Sequence, residues 1–158
     1  MKKNLALYIS MLSCIFVQVF LMRRVLWFPD IILLMVVFAG IFLDVFDAVI
    51  FGITAGFFSA CFSVDMMIPG IIIFPISALA SALLAKMFYK QNFAVQSLIS
   101  FAVIILVIGL QTCYFNVVLH NTLELVLPVS ANWKQVVVTV LFSPIFFMFL
   151  KIVLRIKE

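Results

Sequence analysis

Asp44 and Asp47, in the stretch LDVFDA, are the closest pair of acidic residues in the chain. Three positions apart, they share a helical face, and paired acids of this kind can hold Mg²⁺ or relay protons. They also stand where one apolar run ends and the next begins. Water reaches such a junction, and a hydrated turn capping two helices accounts for both residues without chemistry. Asp65 closes the apolar run GITAGFFSACFSVD, just before Pro69-Gly70. An aspartate at a bilayer centre costs about 2.5–3.5 kcal/mol, and most of that disappears at the interface. Asp65 is therefore expected to cap a turn, not to react. His120, followed four residues later by Glu124, is the one side chain that titrates near neutral pH. A surface helical pair explains it as well as a general base does.

The remaining reactive types add little. Cys14, Cys61 and Cys113 fall in apolar runs at unrelated spacings. They read as buried thiols acting as small hydrophobes. With a single histidine, no metal-ligand set assembles from close neighbours, so neither a metal nor another cofactor is expected. GxSxG, HExxH and phosphate-loop motifs are absent from the sequence. On these grounds no catalytic residue is assigned, and the chain is not expected to be an enzyme.

The elements that position these residues follow from composition. The 158-residue chain is 68% hydrophobic, with ten basic and six acidic residues and a mean hydropathy of +1.39. Soluble domains are near half apolar and about one-quarter charged, so an integral membrane protein is expected. The net charge of +4 does not point to nucleic acid, because the basic residues sit at the ends of apolar runs, against lipid headgroups. The N-terminal apolar run is too long for a signal-peptide core and lacks a small-x-small cleavage site, so it reads as a retained span.

A span needs about 20 apolar residues. Six candidates result: Leu5–Met22, Leu26–Leu43, Ala48–Val64, Ile71–Ala85, Phe93–Leu119 and Val136–Leu154. A membrane barrel would alternate polar and apolar positions, and these runs do not. The expectation is an all-α, six-helix transmembrane bundle forming one domain over residues 1–158. With the N-terminus inside, Lys2, Lys3, Lys86, Lys90, Lys151, Arg155 and Lys157 lie on the inner side, and Arg23, Arg24 and Lys134 on the outer. That asymmetry places both termini in the cytoplasm.

Gly52 and Gly56 make a GxxxG face on the third span, extended by Ala48, Ala55, Ser59 and Ala60. Small residues let helix backbones approach closely, so Gly52, Gly56, Ser59 and Ala60 are the candidate packing or partner interface. Whether the facing helix belongs to this chain or to another is left open. Pro75 and Pro144 lie within spans, where they are read as packing kinks.

Together these residues form a pattern: FPD at Phe28–Asp30 entering a span, then Gly52, Gly56-Phe57, Asp65 and Gly70, then a span with a basic end at Lys86 and Lys90. The pattern resembles the rod shape-determining MreD family of bacterial inner-membrane proteins, over nearly the whole chain. Pro29, Asp30, Asp65 and Gly70 are the motif and turn residues carried over. The chain departs from the family at Ala60-Cys61, where a second glycine and a leucine are common, and the spacing to Asp65 is a residue longer. The resemblance implies a fold similar to the substrate-binding subunits of energy-coupling-factor transporters. It also implies a non-catalytic, multi-pass scaffold of cell elongation and peptidoglycan synthesis that helps maintain rod shape. Its partner would be the single-span protein MreC, with indirect links to the MreB filament, the RodA polymerase and its penicillin-binding transpeptidase.

Two other classes compete. A vitamin-like transporter subunit would need a polar pocket near the outer face, for which Gln111, Asn116, His120 and Glu124 are the obvious lining. A lipid-acting enzyme would need clustered acids and bases, which the sequence does not provide.

Overall fold

The structure, a computed structural model, describes residues 2–22, 29–62, 67–88, 92–118 and 133–154. Among these residues it contains six helices: α1 (Lys2–Met22), α2 (Ile31–Phe42), α3 (Val45–Phe62), α4 (Met67–Met87), α5 (Phe93–Val118) and α6 (Trp133–Leu154). No strand occurs among the described residues.

The two helix starts that differ most from the expected spans do so for a local reason. The second helix begins at Ile31 and not at Leu26. Pro29 has no N–H to donate, and Asp30 holds a non-helical backbone (φ −76°, ψ 86°) while its side chain caps the helix. The fourth begins at Met67 and not at Ile71, so Pro69-Gly70 lies inside its first turn instead of forming a turn of its own. Proline is tolerated there because first-turn N–H groups have no intrahelical acceptor.

α2 is the centre of the molecule. Ile31 through Ile41 are all buried, and α2 packs against each of the other five helices. Those five close a ring around it in the order α1, α3, α4, α5, α6 and back to α1. The ring is uneven. α3 and α4 share the most extensive contact, whereas α1 touches α3 and α6 only lightly. At 12 residues, α2 is about 18 Å long, well short of the ~30 Å of a hydrocarbon core.

The ring helices are apolar on both faces. On α3, Ala48, Phe51 and Ala55 point inward, while Phe46, Ile50, Ile53 and Phe57 are exposed. On α6, Phe146, Phe147 and Leu150 point inward, while Leu141, Ile145 and Phe149 are exposed. A helix in water would carry polar residues on its outer face; apolar residues all round indicate lipid. Three segments, Gly70–Met87, Ala94–Tyr114 and Lys134–Val153, are long and apolar enough to cross a membrane. The apolar stretches of the other helices, Leu7–Phe20, Ile31–Phe42 and Val45–Cys61, are shorter. By length and composition, these are the features of a helical membrane protein.

Candidate functional site

The first turn of any helix carries N–H groups with no intrahelical acceptor. Inside an apolar bundle water cannot serve them, so neighbouring side chains must. At the start of α2 three do. Asp30 Oδ1 accepts the Leu33 N–H at 3.0 Å, the ordinary N-cap bond. Gln18 of α1 accepts the Ile32 N–H on Oε1 at 2.8 Å and donates from Nε2 to Asp30 Oδ1 at 3.1 Å. From α6, Thr139 Oγ1 accepts the Asp30 N–H at 3.1 Å and donates onward to the Gln135 carbonyl at 2.7 Å. Gln18 and Thr139 are buried, and Asp30 is half-buried. One end of the central helix is thus capped jointly by its own aspartate and by two ring helices.

The other end is held differently. The Leu43 N–H closes α2 onto the Ala39 carbonyl at 2.8 Å. Lys151 Nζ of α6 lies 5.1 Å from the centre of the Phe42 ring. A cation over an aromatic face, close to the carbonyl end of a helix, is favourable on both counts. Asp44, exposed, then takes the N-cap position of α3, its carbonyl accepting the Ala48 N–H at 2.8 Å. Asp47 is half-buried in the first turn of the same helix. Both acids belong to the α2–α3 junction, and no group of three metal-ligating side chains occurs among the described residues.

Glycines bring the helices of the bundle close together. A Cβ on Gly52 would lie 2.9 Å from the Phe74 carbonyl oxygen and from the Pro75 Cα. On Gly56 it would lie 2.7 Å from the Gly70 carbonyl oxygen. Real Cβ atoms do not come so near backbone, so the GxxxG face is turned onto α4 of the same chain. Ala60 is buried beside it and Ser59 is half-buried. A Cβ on Gly40 of α2 would collide with the Ser81 hydroxyl and come within 2.7 Å of the Ala78 carbonyl oxygen. α4 is therefore in backbone-level contact with both α2 and α3.

The proline in α6 is repaired from within. Pro144 cannot donate to the Val140 carbonyl four residues back, and the Ser143 hydroxyl does so instead at 2.8 Å. Ser77, Ser81 and Ser100, all buried, also return their hydroxyls to carbonyls of their own helices. These hydroxyls are small, satisfied groups of the kind that lets membrane helices approach.

Asp65, His120 and Glu124 lie outside the described residues, and Gln111 is half-buried on α5. Asn116 belongs to α5, but its side chain is outside the description. Of the three thiols, expected to be buried, Cys14 is half-buried and Cys61 and Cys113 face outward. An apolar outer surface accommodates a thiol as readily as a core does.

Gln18, Thr139 and Gly40 were not legible as partners. The signal was present in a weak form: an uncharged hydrogen-bonding side chain within an otherwise apolar run must find a protein partner. Its partner is not readable, because Gln18 and Thr139 are 12 and 109 residues from Asp30. Compared with protein-family models, curated proteins and solved structures, the chain matches none.

Proposed function

We propose that this chain is a non-catalytic, multi-pass scaffold of the bacterial cytoplasmic membrane. In this reading it serves the cell-elongation machinery, holding the transmembrane helix of an MreC-like single-span protein. Through that partner it acts on the MreB filament, the RodA polymerase and its transpeptidase. The chain crosses the bilayer six times, with both termini in the cytoplasm. α2 can be short because the ring shields it from lipid and protein groups cap its first turn.

The observation that carries this reading is the division of labour in the bundle. The motif residues Asp30, Gly52 and Gly56 serve internal capping and packing, and among the described residues the outward surface of the ring is rich in exposed apolar side chains. A protein whose exposed membrane surface is its largest asset acts by what it binds laterally. Because α4 already occupies the Gly52–Gly56 face, the partner helix is assigned to the outward stripes of the ring and not to that face.

Co-expression with an MreC-like protein and purification in detergent tests the proposal. The two chains should co-purify without added nucleotide or metal. A chain that stays alone under these conditions overturns the scaffold reading. One that retains a vitamin-like ligand, or joins an ATP-hydrolysing module, replaces it with the transporter-subunit reading.

A further inference from the structure

We propose that α1 opens locally as a unit from a bundle formed by α2 to α6, and that the Gln18–Asp30 pair is the catch that holds it closed. α1 faces the bundle through one stripe, Leu7, Met11, Ile15 and Gln18, all buried. Its opposite face, with Ile9, Phe16 and Phe20, is exposed. Between apolar helices and lipid tails there is no hydrophobic penalty for exchanging neighbours, so packing and polar ties alone keep a helix docked. α3 is held to α4 by backbone contact at Gly52 and Gly56. α1 makes no such contact at a glycine, having none, and its neighbours in the ring touch it lightly.

The polar tie works in both directions. Gln18 satisfies an N–H of α2 and donates to the capping carboxylate. Ser10 and Ser13 bond to carbonyls of α1 itself. The other two caps do not involve α1: Asp30 serves Leu33 from within α2, and Thr139 reaches in from α6. When α1 leaves, the start of α2 therefore loses one of its three caps and keeps two. The remaining five helices retain their glycine contacts and the part of the core that α1 does not supply. This is the hierarchy expected of a low-stability unit resting on a more stable one.

Cys14 reports the event, because it is half-buried on α1 against the core. In a Cys61→Ser, Cys113→Ser background it is the one thiol, and its reaction with a maleimide in detergent micelles measures how often α1 opens. With Gln18 intact, Cys14 should label at an SDS fraction below that at which helical circular dichroism is lost. Gln18→Leu should raise its labelling rate about tenfold, the scale of two buried hydrogen bonds, without moving the loss of helicity. The proposal is overturned if Cys14 labels only as the whole helical signal is lost, or if Gln18→Leu leaves its rate unchanged.

Discussion

Gly56 and Gly70 face each other across the α3–α4 contact, but only one of them needs to be glycine. A Cβ on Gly56 would lie 2.7 Å from the Gly70 carbonyl oxygen, whereas a Cβ on Gly70 would lie 3.7 Å from the Gly56 carbonyl oxygen. The first is a collision with backbone; the second is ordinary contact. The same motif thus contains a position fixed by packing and a position that tolerates change.

Gly56→Ala and Gly52→Ala should each destabilise the protein by about 1–3 kcal/mol, because helix backbones must separate to admit the methyl group. Gly70→Ala should be near neutral. Gly109→Ala, where a Cβ meets nothing within 4 Å, should gain up to ~1 kcal/mol from helix propensity. Thermal unfolding in detergent, followed by circular dichroism, separates the two pairs. Equal effects at all four positions would remove the packing argument.

Asp30→Asn should be mild and Asp30→Leu severe. The amide retains an oxygen for the Leu33 N–H, while leucine removes the N-cap and leaves Gln18 facing an apolar side chain. A loss of about 2 kcal/mol or more is expected for leucine. If asparagine were as damaging as leucine in the same melt, the charge and not the cap would be what matters.

Ser143→Ala should cost about 1 kcal/mol, since it strands the Val140 carbonyl that Pro144 already deprives of a donor. Ser100→Ala, whose hydroxyl bonds to a carbonyl within the uninterrupted ladder of α5, should cost less. The double variant Ser143→Ala, Pro144→Ala should recover the loss, because a backbone N–H returns to the Val140 carbonyl. Failure to recover would show that Ser143 contributes by packing.

A reporter active only in the periplasm, fused after Glu158, should be silent, and a cytoplasmic reporter at the same place should be active. Seven basic residues on the proposed inner side against three on the outer favour that orientation. A strong periplasmic signal would overturn the proposed six-span topology.

Much of the fold was legible because it depends on local chain chemistry. Continuous apolar runs without alternation leave only helices, since in lipid each backbone group must be satisfied within its own segment. The acids at Asp44 and Asp47 marked the α2–α3 junction, and Pro29-Asp30 marked a helix entry. What the runs could not reveal is which side of each helix looks inward. In α3 and α6 both faces are apolar, so periodicity, which locates cores in water, carries no information. For that reason the sequence did not single out α2 as the helix enclosed by all the others. Nor did it show that Gly52 and Gly56 face α4 of their own chain. The capping of Asp30 was equally hidden, because Gln18 and Thr139 meet it only when α1 and α6 are brought together around α2. A buried helix end needs hydrogen-bond partners, and that need is local; who supplies them is decided only by the closed bundle.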